Sequence, residues 1–119
     1  MKTKNEDFVY SDERFADLQL LRYRVDGFAG LSLNKKKYIY YLAKATLAGR
    51  DITTDQYGKY NLDIRKVFEA ILLSEGAKKD RDNYEQAVVY LKRLWFSNGI
   101  YHHYGCEKFV PEFSEQWFR

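Results

Sequence analysis

Apolar residues spaced three and four apart recur in four stretches of the chain, and each stretch predicts a helix. In the first, Ser11-Asp12-Glu13 offers a capping hydroxyl and two acids where a helix dipole favours negative charge. Phe15, Leu18 and Leu21 then mark one face of a helix over residues 11–25, Leu20 and Tyr23 widen it, and Gly27 is its stop. Ser32 caps a second helix to residue 48, where Tyr38, Tyr41, Leu42 and Ala45 form the core stripe and Gly49 closes it. Lys35, Lys36 and Lys37 lie in its first turns, against the dipole. Asn61 caps the third, most regular helix, whose stripe Ile64, Val67, Phe68, Ile71 and Leu72 requires burial before Gly76 ends it. Asp82, with Glu85 three residues on, resembles a capping box for a fourth helix that carries Tyr84, Ala87, Val88, Leu91, Leu94 and Trp95 and stops near Gly99.

Between these stretches, residues 50–60 have no helical period and contain the turn formers Asp55 and Gly58, so they read as an ordered loop. Residues 100–111 break the pattern again and end on the single proline, and residues 114–119 read as the first turn of a fifth helix. The fold class that follows is mainly α, with four to five helices in one domain over residues 1–119. Trp117 and Phe118 stand inside that last turn with nothing downstream to cover them, which is the mark of a unit cut short.

Composition sharpens this picture. Twenty-one of 119 residues are Phe, Tyr or Trp, and a free domain of this size hides roughly two-thirds of its unfolded surface, so some rings are expected to face a partner. Twenty basic and 17 acidic residues leave a net charge of +3, which is weak for a protein that neutralises nucleic-acid phosphates. No run approaches the roughly 18 apolar residues of a membrane span, and no signal-peptide core follows the polar N-terminus. The single cysteine, Cys106, precludes an internal disulfide. A cytoplasmic protein with neither nucleic-acid nor membrane partner is expected.

Little in the chain is equipped for catalysis. His102 and His103 are adjacent, so their side chains diverge, and no H-E-x-x-H string supplies further ligands for a metal. Cys106 lies near His103 in sequence but lacks an orienting third group. Neither glycine-rich phosphate motif occurs. Lysines 35–37 beside Tyr38, Tyr40 and Tyr41 have the composition of a nucleic-acid surface, but Tyr38 and Tyr41 also belong to the core stripe, so a solvated lysine face is the preferred reading. Residues 95–111 stand apart: two glycines and a dense set of polar-tipped rings fall in an irregular segment. Two readings remain open for it, a peptide-binding loop and a helix terminus whose rings fill a core.

The strings Phe15-Ala16-Asp17-Leu18-Gln19-Leu20-Leu21-Arg22-Tyr23, Gly49-Arg50-Asp51-Ile52, Lys59-Tyr60-Asn61-Leu62, Ile64-Arg65-Lys66 and above all residues 90–111 resemble the N-terminal part of dipeptidyl peptidase III in the branch found in Bacteroides-like bacteria. The resemblance implies the incomplete N-terminal part of a larger two-lobed zinc metallopeptidase that removes dipeptides from the N-termini of short peptides. Zinc would be bound elsewhere in the polypeptide, because the family's H-E-x-x-G-H helix does not occur here. The chain alone is then inactive, with no catalytic residue, metal ligand or cofactor of its own. Its partners would be the remainder of the peptidase or a second copy, with an oligopeptide substrate in the full-length enzyme. The family's eukaryotic cleft motif G-N-Y-x-S-F-G-D-x-K-F-x-P falls on residues 99–111, with Ile100, His103 and Cys106 replacing its Asn, Ser and Asp. On that alignment His103 and Tyr104 are implied as substrate contacts. The alternative from another class is a free-standing helical protein-interaction module.

Overall fold

A computed structural model describes residues 8–119. In chain order they form strands β1 (Ser11–Phe15) and β2 (Leu18–Leu21), then helices α1 (Leu33–Ala48), α2 (Arg50–Gln56), α3 (Asn61–Leu73), α4 (Arg81–Ser97) and α5 (Glu115–Phe118). Short 3-10 turns cover Phe28–Gly30 and Ala77–Lys79. The chain is mainly α-helical and divides into two compact units, one up to Ala45 and the other Thr46–Arg119.

In the first unit the helix expected over residues 11–25 is replaced by an antiparallel hairpin with Phe15 opposite Leu18 and Arg14 opposite Gln19. A spacing of three fits one helical face, and it also fits two strands joined by a two-residue turn. The hairpin is selected by Ala16, which takes the left-handed conformation at φ 49°, and by strand ends that a side chain can tie. Gln19 Nε2 donates to Ser11 Oγ at 2.9 Å and to the Glu13 carbonyl at 3.2 Å. α1 follows the expected boundaries, with the Lys35 amide reaching Ser32 Oγ at 3.5 Å. Its core stripe does not materialise, since Tyr38, Tyr41 and Leu42 are 66%, 67% and 49% exposed and no residue of the helix is buried.

The second unit holds the hydrophobic core. Phe68 of α3 packs with Ala87, Tyr90, Leu91 and Leu94 of α4 and with Phe109 from the segment beyond it, while Ile64, Ile71 and Leu72 close the edges. Tyr90 and Leu91 are neighbours on the face that meets α3, as the helical period requires. Val67 and Trp95, expected inside, are largely exposed, and Arg65 is buried in place of Val67. Asp80, rather than Asp82, caps α4 by accepting from the Asn83 amide at 3.3 Å. Asn98, one residue before the expected Gly99, takes the left-handed position at its end.

Residues 50–56 are helical, which corrects the expected loop. Seven residues are too few to hold a helix by propensity, and the cause lies in α3. The buried Arg65 guanidinium donates to Thr54 Oγ1 at 3.1 Å and to Asp51 Oδ1. Its Nε lies 3.3 Å from Glu69 Oε1, an ion pair without hydrogen-bond alignment. Asn61 is likewise not the expected cap: it is the first residue of α3, 3% exposed, and its Oδ1 accepts from the Ile100 amide at 3.4 Å. Gly99 permits that approach, because a Cβ there would stand 2.1 Å from Asn61 Nδ2.

Candidate functional site

The segment after α4 is built from its base upward. Asn61 holds Ile100 to the start of α3, and Phe109, 6% exposed, plugs the returning strand into the core. Between these anchors the chain folds back on itself. The Phe109 amide donates to the Ile100 carbonyl and the His102 amide to the Glu107 carbonyl, each at 2.8 Å, with Tyr101 bridged to Lys108. Arg93 of α4 lies over the Phe109 ring at 5.1 Å and Lys108 over the Tyr101 ring at 5.8 Å. The Gly105 amide closes the turn on the His102 carbonyl at 3.0 Å.

This frame presents a row of rings. His102 and His103 stack with centroids 4.5 Å apart, His103 meets Tyr104 at 4.1 Å, and Phe96 of α4 supports His103 edge-on at 5.0 Å. His102 Nδ1 accepts from the Tyr104 amide at 3.3 Å, which places the neutral ring's proton on Nε2. His103 is half-buried with an unpartnered Nδ1, whereas Tyr104 is 88% exposed. The two residues singled out by sequence are thus brought together, one seated and one projecting. Such a pair can stack on a peptide side chain or meet its polar groups. Cys106 is exposed at the same turn, and among the described residues no group of three His, Cys, Asp or Glu is placed to hold a metal ion. No helix among them is long and apolar enough to cross a membrane.

A second feature escapes the sequence reading. Ile64 and Phe68 of α3, Tyr90 of α4, and Pro111, Phe113 and Phe118 line an apolar groove of about 450 Å³ with the Glu115 carboxylate at its edge. Neither His103 nor Tyr104 takes part. The aromatic residues after Pro111 find cover only in part, with Phe118 still 43% exposed. Phe118 stacks on Phe68 at 5.5 Å, Trp117 is half-buried against Phe113 at 5.8 Å, and Ser114 caps α5 by accepting from the Trp117 amide at 3.2 Å. Compared with known protein families and with curated proteins, the sequence matches none.

Proposed function

We propose that this chain is a helical N-terminal segment of a cytoplasmic, dipeptidyl peptidase III-like zinc peptidase, inactive by itself. In this reading it supplies scaffold for the lobe against which the zinc-bearing lobe closes, and His103 and Tyr104 line the peptide cleft. The observation that carries it is α1. Residues 38–42 are consecutively Tyr, Ile, Tyr, Tyr and Leu, and at 100° per residue they encircle the helix. An apolar girdle of this kind calls for cover on more than one side, yet none of the helix's residues is buried here, and Lys35, Lys36, Lys37 and Lys44 flank the girdle in sequence. The braced, outward-facing Tyr104 supports the cleft assignment. The general base and the metal come with the remainder of the enzyme, and no chemical step falls to this chain.

The test is reconstitution. The 119-residue chain by itself is expected to release no dipeptide from a chromogenic dipeptide substrate. Combined with a separately produced polypeptide carrying the family's H-E-x-x-G-H helix, it is expected to restore release, and Tyr104→Ala is expected to raise KM more than it lowers kcat. Turnover by the chain alone, or failure to restore activity in any combination, overturns the reading. The groove favours the second reading, a free-standing interaction module, which predicts stable binding to a protein partner without any peptidase segment.

A further inference from the structure

Charge is divided unevenly between the two units. Residues 1–45 carry nine basic and six acidic residues and residues 46–119 carry eleven of each, so the whole net charge of +3 resides in the first. Within it α1 has Lys35, Lys36, Lys37 and Lys44 and no acid. Tyr38, Tyr41, Leu42 and Ala45 share one face by their spacing, with Lys35 three residues before Tyr38 and Lys37 four before Tyr41, so the rings are flanked by cations on both sides. Tyr38, Tyr41 and Leu42 are exposed.

The groove of the second unit has the opposite character. Its apolar floor ends at Glu115. Tyr90 is shared with a small neighbouring depression lined by Val89, Arg93 and Glu112, which in turn shares Val89 and Glu112 with a separate cleft of about 290 Å³ bordered by Asp82, Glu85 and Glu112. Glu85 and Glu115 are paired with Arg81 and Arg119, each by an i,i+4 contact at the surface. Arg93 is engaged over the Phe109 ring. Glu112 is in no ion pair among the described residues, so its charge is available to an incoming cation.

We infer that in the chain by itself the groove of one copy receives α1 of a second copy, the exposed Tyr and Leu side chains entering between Phe68, Tyr90, Phe113 and Phe118 while the flanking lysines meet Glu112 and Asp82. The match is one of shape class and sign: an apolar face edged with cations meets an apolar groove edged with carboxylates, and no other helix of the described chain combines exposed rings with a purely basic charge set. The contact does not depend on the peptidase reading. It tests the isolated chain, whereas reconstitution tests the completed enzyme, so either can fail alone.

Sedimentation velocity of the 119-residue chain over a wide concentration range is expected to show reversible dimerisation that weakens in about 1 M salt, where the screening length falls to about 3 Å. Lys35→Glu/Lys37→Glu, which places acids in the first turns of α1 where the dipole favours them, and Glu112→Lys at an exposed position are each expected to weaken it by more than about tenfold. Combining the three changes in one chain, or mixing the two variants, restores it because opposite signs again face each other. Phe118→Ala weakens it without changing its salt dependence. Melting curves confirm that each variant is folded. A chain that stays monomeric at every concentration, a dimer indifferent to both charge reversals, or reversals that do not rescue one another overturns the proposal.

Discussion

α1 and α4 are nearly the same length, 16 and 17 residues, and both are rich in aliphatic and aromatic side chains, yet α4 buries five residues and α1 none. The difference is arrangement. In α4 the apolar positions Ala87, Tyr90, Leu91 and Leu94 repeat at three and four and face α3. In α1 five consecutive apolar residues wrap the axis, so no single neighbour within one small unit could cover them. The amount of apolar surface thus decides that a helix wants cover, and its angular distribution decides how many sides need it. The two units inherit this contrast, because Phe15 is the one buried side chain among the described residues up to Ala45.

The sharpest way to break the contrast is to cut the core. Leu91 is 1% exposed, and Leu91→Ala is expected to cost about 2–5 kcal/mol in urea unfolding followed by helical circular dichroism. Gly99→Ala comes next, at about 1–3 kcal/mol, because the added methyl drives into Asn61 Nδ2. Asn61→Gly in the same chain should recover part of that loss, and strict additivity of the two would refute a direct clash.

Acid sensitivity in the second unit is a smaller effect. The hydrogen bond from Arg65 holds the Asp51 carboxyl below its ordinary value of 3.8. A depressed acid stabilises the fold above that ordinary value, and the contribution disappears as pH falls through the lower folded value. Asp51→Asn should therefore lower stability at neutral pH and flatten its decline below about pH 4. Smallest of all is Leu42→Ala in α1, within about 0.5 kcal/mol, and α1 amides should exchange hydrogen faster than those of α4. A loss at Leu42 comparable to that at Leu91 would erase the distinction between the two helices.

Much of the second unit could be read directly from the residues, because α3 and α4 announce themselves by period and α4 ends on capping groups within one or two positions of those expected. What the period could not convey was tertiary. α2 exists because Arg65, eleven and fourteen residues away, ties down Thr54 and Asp51, and Asn61 forsakes its capping role for an amide 39 residues on. The hairpin was hidden because Phe15 and Leu18 satisfy a helical spacing and a tight-turn pairing equally well. The segment 95–111 stood out by its density of rings in an irregular stretch, whereas His103 and Tyr104 themselves were implied only by the resemblance. The groove went unread because its walls come from three separate stretches that no local pattern connects.

The turn that carries His103 and Tyr104 also carries the sole thiol of the sequence, at its solvent-facing tip. Because the hydrogen bonds below it fix both legs of the turn, a fluorophore or spin probe attached at Cys106 would ride on a rigid mount two residues from Tyr104. The protein thus comes with a ready-made single attachment point for an optical or magnetic reporter beside Tyr104, without any engineered cysteine.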